Sequence, residues 1–296
     1  MGGMTVDPPF GTHALPPWLE RLRRFGGRLG RGAAARRATS AIRRLCQAGR
    51  PDPFDVEPFA GQRARLYPSD NLSEKRVFAA PQFWDWAERA ALARAMAATD
   101  APFHFVDAGA NAGLYSLAVR SFGPARILAV EPAPAALSRL RTNLALSGAA
   151  EVTVAPVALS DRAGTAHIAA AGSNLGEAAL GDAGTEVETL PLLDLLEAQG
   201  FGRVDALKID IEGHEEPVLA DFLARAPAAL WPRLAILEAR RGAETPALAL
   251  MRAHGYVIVE RTKMNAILGL AHAETGAAPA GTTQLQENTD GADGKA

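Results

Sequence analysis

The sequence predicts an α/β fold built on a mostly parallel sheet of seven strands, and three observations lead to this prediction. From residue 103 onward, short apolar runs alternate with segments of helical periodicity. Glycines close several of these helical segments, as at Gly123, Gly148 and Gly255. The last two apolar runs have no helix between them, which predicts an antiparallel hairpin at one edge. Strands that alternate with helices form a parallel sheet covered by helices on both faces.

The individual elements follow from the same patterns. Strands are expected at 103–110, 126–132, 152–161, 204–213, 233–239, 256–261 and 266–271, with a short extra strand at 165–171. Helices are expected at 81–96, 112–123, 133–148, 189–200, 214–226 and 245–255.

The composition divides the chain into four parts. Residues 1–50 are a basic, partly flexible N-terminal arm, and residues 51–100 are a lead-in on the substrate side, which starts with a proline-rich linker at 51–59. Residues 101–272 form the ligand-binding domain. Residues 273–296 are rich in Gly, Ala, Thr and Asp, which is typical of a disordered tail.

The net charge of −2 is unevenly distributed. Residues 1–50 carry ten Arg against Asp7 and Glu20, or +8, so the remaining 21 basic and 31 acidic residues give −10. A nucleic-acid partner is disfavoured by this acidic body. The single cysteine, Cys46, excludes a disulfide framework within the chain and a zinc site of several thiolates. The sequence has no apolar run long enough to span a bilayer, so a cytoplasmic location is expected.

The N-terminal arm contains a helical pattern. Trp18, Leu22, Phe25 and Leu29 recur on one face, and arginines fill the others. The favoured interpretation is an arm whose apolar face packs on its own domain or on a partner subunit. The alternative is a peripheral contact with an anionic membrane or polymer.

Acidic or polar side chains follow five consecutive predicted strands. They are Asp107, Glu131, Ser160–Asp161, Asp210 and Glu238. In an open α/β sheet, ligands bind beyond the carboxyl ends of the strands, where the strand order reverses. These residues are therefore expected to form the rim of a cleft.

The turn after the first of these strands indicates which ligand the cleft takes. It reads Asp107-x-Gly109-x-Asn111-x-Gly113, which differs from the Gly-x-Gly-x-x-Gly fingerprint of dinucleotide enzymes. An acid at this turn repels a pyrophosphate and suits a cationic ligand. Glu131 ends the next strand, where a carboxylate can accept both hydroxyls of a ribose. A ribose together with a cationic centre describes S-adenosylmethionine.

At this point the sequence resembles a known family, the FkbM-type S-adenosylmethionine-dependent methyltransferases. The resemblance covers residues 70–270 and rests on FVDAGANAGLYSL, AVEPAPAALSRLRTNLALSG, VALSDRAGTA, LKIDIEGHEEPVL and ILEAR. It implies a Rossmann-like class I methyltransferase fold and methyl transfer to oxygen, usually a hydroxyl of a sugar, a polyketide or a similar small molecule. The arm and the tail lie outside the family pattern.

The cofactor side of the cleft is assigned residue by residue. Asp107 is expected to reach the sulfonium or amino end of the cofactor, directly or through the amides of the turn, with a purely turn-holding role as the alternative. At Gly109 and Gly113 a side chain would collide with the ligand or with helix packing. Asn111 tolerates a left-handed backbone and can bind the methionine tail. Glu131 is the predicted ribose acceptor.

Ser160 and Asp161 are expected near the adenine amine. A turn that starts a hairpin at Asp161 is an equally weighted alternative.

The reacting side of the cleft is assigned to the fourth strand and its neighbours. Lys208 and Asp210 are expected on one face of the strand as an ion pair near the reacting methyl group, with Asp210 as base or orienter and Lys208 tuning it. A purely structural buried pair is the rival interpretation. His214 is a secondary candidate base, and Glu238 could bind the substrate hydroxyl.

A divalent cation is the remaining alternative for this side of the cleft. Asp210, Glu212 and Glu238 could offer oxygen ligands to Mg²⁺, but nothing in their spacing demands it, so no metal is predicted.

The sequence therefore predicts an O-methyltransferase acting on a sugar, a glycan or another small metabolite. Two alternatives remain open: an RNA or protein methyltransferase that uses the arginine arm, and a non-catalytic scaffold that retains the cofactor site. The acceptor pocket is expected to draw on residues 55–80 and 171–188. The oligomeric state is not predicted.

Overall fold

The computed structural model describes residues 8–99, 102–170, 178–181 and 184–271. The predicted tail at 273–296 lies outside the described residues, as do positions 171–177 and 182–183 of the predicted acceptor segment. The described helices are α1 Pro17–Arg28, α2 Ala33–Gln47, α3 Leu72–Ala79, α4 Trp86–Ala97, α5 Leu114–Arg120, α6 Pro134–Leu146, α7 Leu192–Ala198, α8 Glu215–Arg225 and α9 Pro246–Ala253. The described strands are β1 Phe54–Phe59, β2 Gln62–Leu66, β3 Phe103–Ala108, β4 Ala125–Val130, β5 Thr153–Ala155, β6 Ala158–Leu159, β7 Gly164–Ala170, β8 Ala178–Gly181, β9 Thr185–Leu190, β10 Ala206–Ile209, β11 Leu234–Glu238, β12 Tyr256–Arg261 and β13 Asn265–Leu270.

The predicted seven-stranded sheet is present and has the order β12-β13-β11-β10-β3-β4-β5. Strands β11, β10, β3, β4 and β5 run parallel, whereas β13 pairs antiparallel with both β11 and β12. This arrangement confirms the α/β prediction and the C-terminal hairpin. The chain starts in the middle of the sheet at β3, moves outward to β5, and returns on the other side of β3 with β10. The strand order therefore reverses between β3 and β10, where open α/β sheets bind their ligands.

The prediction of one continuous strand at 152–161 is wrong. It is divided into β5, in the main sheet, and β6, in a second sheet of order β6-β9-β7-β8. Pro156 separates the two pieces, and a proline cannot donate a hydrogen bond within a sheet. Ser160 and Asp161 consequently follow a strand of the smaller sheet. The alternative of a simple hairpin at Asp161 is also wrong, because β6 pairs with β9 and not with β7.

The prediction of a linker at 51–59 is also wrong. Phe54 and Val56 are buried, and β1 pairs antiparallel with β2. Pro58 lies within the irregularity of this pairing between Val56 and Phe59, a position where a strand tolerates proline. The helix predicted at 81–96 is a 3₁₀ turn at Pro81–Phe83 followed by α4, with Trp84 and Asp85 between them.

The N-terminal arm packs on its own domain, as the favoured interpretation expected, but through a different face of α1. The buried positions are Leu19, Arg23 and Gly26, whereas Trp18 and Phe25 are 57% and 59% exposed. Gly26 lets α1 approach α2 closely, since a Cβ at this position would lie 3.0 Å from Ile42 Cδ1. The cost of burying an arginine here is offset because Arg23 bonds to Glu20 and to the carbonyl oxygen of Phe78.

A buried asparagine joins the lead-in to the main sheet. Asn143 of α6 accepts a hydrogen bond from the Arg65 N–H at 2.7 Å and donates one to the Ala112 carbonyl at 2.8 Å. Arg65 belongs to β2, and Ala112 belongs to the turn that follows β3. The hairpin β1–β2 and the turn are therefore held by the same side chain.

We predict that Asn143→Ala lowers the free energy of unfolding by about 3 kcal/mol, because it leaves a buried N–H and a buried carbonyl without partners. Urea denaturation measures this difference. The matched control is Ser147→Ala, which removes exposed hydrogen bonds to the Arg63 backbone and should cost about 1 kcal/mol or less. Equal losses for the two variants would contradict the role assigned to Asn143.

Candidate functional site

A cavity of about 980 Å³, its open mouth included, lies at the carboxyl ends of β3, β4 and β10. The predicted site residues in its wall are Gly109, Asn111, Glu131, Lys208, Asp210 and His214. The cavity therefore sits where the strand order reverses and gathers residues from three separate parts of the sequence.

Two glycines of the turn after β3 are required by packing against the protein itself. Gly109 has a φ of +73°, and a Cβ there would lie 1.9 Å from the carbonyl oxygen of Asp210. Gly113 has a φ of +80°, and its Cβ would lie 2.6 Å from Cδ1 of Leu140 in α6. The left-handed conformation predicted for Asn111 is present, with a φ of 50°. The turn is thus pressed against β10 on one side and α6 on the other.

Glu131 follows β4 and bridges the turn to the start of α6. Its Oε2 accepts the Asn111 N–H and its Oε1 accepts the Ala133 N–H, both at 2.8 Å. Only 7% of its surface is exposed, and burial raises the pKa of its carboxyl group. The backbone amides fix the direction of this carboxylate at the cavity wall. Binding of a ribose by Glu131 stays a prediction, with a geometry that fits it.

Asp107 is fully buried and holds helix α5. Its Oδ2 accepts the Ser116 N–H at 3.0 Å and the Ser116 hydroxyl at 2.7 Å. Its Oδ1 has no hydrogen-bond partner among the residues that the structure describes. Burial raises the pKa of Asp107 against the opposing effect of Lys208. These contacts hold helix α5 and not the amides of the turn, and Asp107 lies outside the wall that the described residues form around the cavity. Its contact with the cofactor stays a prediction.

The expected ion pair between Lys208 and Asp210 is present, with Nζ and Oδ2 3.5 Å apart. Lys208 is 7% exposed and also donates to the carbonyl oxygen of Gly109 at 2.8 Å. Burial by itself lowers the pKa of Lys208, but the carboxylates of Asp210 and Asp107 raise it overall, so the side chain is a buried cation. Asp210 is only partly buried and faces the cavity. Both members of the pair line the cavity, and the side chain of Asp210, 39% exposed against 8% for Lys208, is the more accessible to a ligand.

The loop between β10 and α8 brings His214 to the cavity. Glu215, in the predicted first turn of α8, accepts the N–H groups of Ile211 and Gly213 at 2.8 and 3.3 Å and so shapes this loop. Nε2 of His214 lies 3.4 Å from the hydroxyl oxygen of Ser160. This contact joins the smaller sheet to the rim of the cavity.

Three further predicted residues stand at the edge of the site. Ser160, Asp161 and Glu238 are close to it in the fold but stay outside the wall that the described residues form around the cavity. Burial raises the pKa of Glu238, with Asp210 and Glu215 as further causes. Contacts of Ser160 and Asp161 with adenine, and of Glu238 with a substrate hydroxyl, stay predictions.

The acidic residues around the cavity do not form a metal cluster. Among the described residues, no group of three or more His, Cys, Asp or Glu side chains is arranged to hold a metal ion.

One wall of the cavity comes from the lead-in, which was predicted on the substrate side, but Trp84 and Asp85 were not predicted as its residues. Trp84, Asp85 and Ser73 all line the cavity. The Tyr115 hydroxyl donates to Oδ2 of Asp85 at 3.0 Å, and the rings of Trp84 and Tyr115 have centroids 4.9 Å apart. Burial and the nearby Glu88 raise the pKa of Asp85. The available signal was the acid that directly precedes the helix in FWDWAERA, which marks a helix start inside the single helix predicted there.

Comparisons with known proteins place this chain among methyltransferases. The methyltransferase FkbM domain matches residues 107–258. The methyltransferase sdnD of Sordaria araneosa is 34% identical over 154 residues, which cover 40% of this chain and 59% of that protein. The 31-O-demethyl-FK506 methyltransferase FkbM of Streptomyces tacrolimicus is 31% identical over 192 residues, or 52% of this chain and 72% of that protein. The chain thus spans less than two thirds of the first of these relatives.

Solved structures with a similar fold are more distant. The precorrin-6y C5,15-methyltransferase of Geobacter metallireducens is 17% identical, and the match covers 61% of this chain and 85% of that chain with a TM-score of 0.39. A SAM-dependent methyltransferase of Agrobacterium tumefaciens is 13% identical, and the match covers 74% of this chain and 69% of that chain with a TM-score of 0.42.

We predict that Gly109→Ala lowers the free energy of unfolding by about 3–5 kcal/mol, because it adds backbone strain and a collision with β10. The matched control is Gly148→Ala. Gly148 also has a positive φ of +61°, but no atom of the described residues lies within 4 Å of the position that its Cβ would take. The control should cost about 1 kcal/mol. Chemical denaturation compares the two, and similar losses would show that the close approach to Asp210 does not matter.

Proposed function

The chain belongs to the FkbM methyltransferase family, and from this premise we propose that it transfers a methyl group from S-adenosylmethionine to a hydroxyl oxygen of a small molecule or glycan. One observation carries the proposal. The cavity at the reversal of strand order places the Glu131 carboxylate beside the glycine turn and places Asp210 at the end of the neighbouring strand.

The residues of the cavity fit the chemistry of the cofactor. Glu131 offers carboxylate oxygens for the ribose hydroxyls, and Asn111, in its left-handed conformation, lines the wall where the methionine tail would lie. Asp210 and Glu212 add negative charge to this wall, which suits a sulfonium. S-adenosylmethionine, when bound, supplies an electrophilic methyl group whose leaving group is a neutral thioether. The protein then has to position the acceptor and remove its proton.

Asp210 is the group proposed to receive the acceptor proton. It faces the cavity, and the buried Lys208 cation at 3.5 Å orients its carboxylate. His214 stands on the next loop as the secondary candidate. The wall with Asp85, Trp84 and Tyr115 is proposed as the acceptor side, because the rings can cover an apolar part of the acceptor while Asp85 accepts a hydrogen bond from a hydroxyl.

Transfer to oxygen in particular is supported by one relative and by the chemistry of the site. The name of the Streptomyces tacrolimicus relative, a 31-O-demethyl-FK506 methyltransferase, refers to methylation at an oxygen. The carboxylates that line the cavity of this chain are suitable bases for a hydroxyl proton.

We predict that Glu131→Ala raises the Kd for S-adenosylmethionine at least about tenfold, because hydrogen bonds to a charged group contribute roughly 1.5–3 kcal/mol. Isothermal titration calorimetry measures the Kd, and circular dichroism confirms that the variant is folded. Glu197→Ala, at an exposed position of α7, is the control and should bind as the wild type does. A folded Glu131→Ala variant with unchanged affinity would contradict the proposed ribose contact.

We predict that Asp210→Asn lowers kcat about 10²-fold or more and leaves the Kd for S-adenosylmethionine within about twofold, since the amide cannot accept the acceptor proton. The acceptor is first found by screening hydroxylated metabolites and glycans for release of S-adenosylhomocysteine. Asp194→Asn, at a half-exposed position of α7, serves as the control. Near-normal turnover of Asp210→Asn on that acceptor would refute the assignment.

A further inference from the structure

Helix α1 presents two large aromatic side chains to solvent. Trp18 and Phe25 are 57% and 59% exposed and stand seven residues apart, so they lie on the same side of the helix. Arg21 and Arg28 follow each of them by three residues and are exposed on the same side. We name these four residues the aromatic–arginine face. An exposed apolar patch that is rimmed by polar side chains is typical of an interaction site.

The position of α1 does not depend on this face. Leu19 and Gly26 are buried on the opposite side, and the buried Arg23 donates to the Phe78 carbonyl at 2.8 Å. The side-chain amide of Gln82 donates to the Gly26 carbonyl at 2.9 Å. The contacts of its buried side therefore hold α1 in place, and the exposed side chains are not needed for this packing.

The charge around this face is strongly positive. Residues 8–50 hold ten Arg and a single acid, Glu20. Glu20 is already paired with Arg23 and Arg24 at 2.7 and 2.8 Å. The rest of the chain, from residue 51 onward, carries −10. Positive charge is therefore concentrated in the segment of the chain that carries the exposed aromatic side chains.

We propose that the aromatic–arginine face binds the surface of a membrane that contains anionic lipids. Trp18 and Phe25 would enter the interfacial layer, and Arg21 and Arg28 would contact the phosphates of the headgroups. Exposed aromatic side chains can enter this layer while the arginines beside them keep their charged groups among the headgroups, and tryptophan is enriched there. Each basic side chain near an anionic surface adds to the attraction. The proposal concerns location and does not depend on the methyl-transfer proposal.

The distribution of charge favours a membrane over a second copy of this chain and over a nucleic acid. In a symmetric dimer, the same positive face would meet its own copy and be repelled. A nucleic acid long enough to extend past the arm would meet the acidic body. An anionic membrane that meets α1 would instead be attracted by the excess of arginines in this segment.

Helix α1 is also connected to the cavity wall by a hydrogen bond. Gln82, which bonds to α1, precedes Trp84 and Asp85 by two and three residues, and both of these line the cavity. Binding through α1 would therefore hold the proposed acceptor wall near the lipid surface.

The test is sedimentation of the full chain with sucrose-loaded vesicles, either of phosphatidylcholine alone or of phosphatidylcholine mixed with phosphatidylserine. The wild type should bind the mixed vesicles, and binding should weaken at high salt. Trp18→Ser/Phe25→Ser and, separately, Arg21→Gln/Arg28→Gln should each lower the partition coefficient about tenfold. Thermal denaturation should show all variants folded, because the four side chains are exposed.

Matched controls distinguish binding through the aromatic–arginine face from nonspecific apolar or electrostatic adsorption through other exposed side chains. Val257→Ser/Val259→Ser removes two other exposed apolar side chains, and Arg233→Gln/Arg241→Gln removes two other exposed charges. Both controls should bind as the wild type does. The proposal is overturned if the folded wild type ignores anionic vesicles, or if the Trp18 and Phe25 variant binds them equally well. It is also overturned if the face proves to mediate self-association or RNA binding without vesicle binding.

Discussion

The buried cation of Lys208 is the constraint on which the rest of the site depends. It lies in a central strand, where a lone charge is costly, so its surroundings must supply negative charge and hydrogen-bond acceptors. Asp210 and the Gly109 carbonyl supply direct contacts. Asp107 and Glu131 add to the field that keeps it charged. The acidic ends of three neighbouring strands and the glycine turn are thus parts of one electrostatic arrangement around this lysine.

The lead-in and α6 hold the turn beside this lysine from outside the sheet. The side-chain amide of Asn71 donates to Oδ1 of Asn111 at 3.0 Å, and Asn143 holds both the hairpin β1–β2 and the turn. The turn is therefore fixed from both sides, which explains how a residue with a positive φ can keep one orientation at the cavity wall. Trp84 and Asp85 then close the cavity with residues that precede the sheet in the chain.

Much of the fold could be predicted because its signals are local. The alternation of strands and helices, the hairpin after α9, the left-handed Asn111 and the pair of Lys208 with Asp210 all follow from neighbouring residues. The errors arose where a distant contact decides the outcome. The buried face of α1 is set by Gly26 and Arg23, which meet partners far along the chain, and β6 leaves the main sheet to pair with β9, which follows it only after β7 and β8. Asp85 was missed because residues 81–96 were predicted as one continuous helix, and its partner Tyr115 lies thirty residues away.

The measurement that tests the central claim most directly is a crystal structure of the protein with S-adenosylhomocysteine. The account predicts the ribose hydroxyls within hydrogen-bond distance of Glu131, the amino-acid tail against the turn at Asn111, and the sulfur facing Asp210. A ligand bound elsewhere, or bound in the cavity with its ribose away from Glu131, would contradict it.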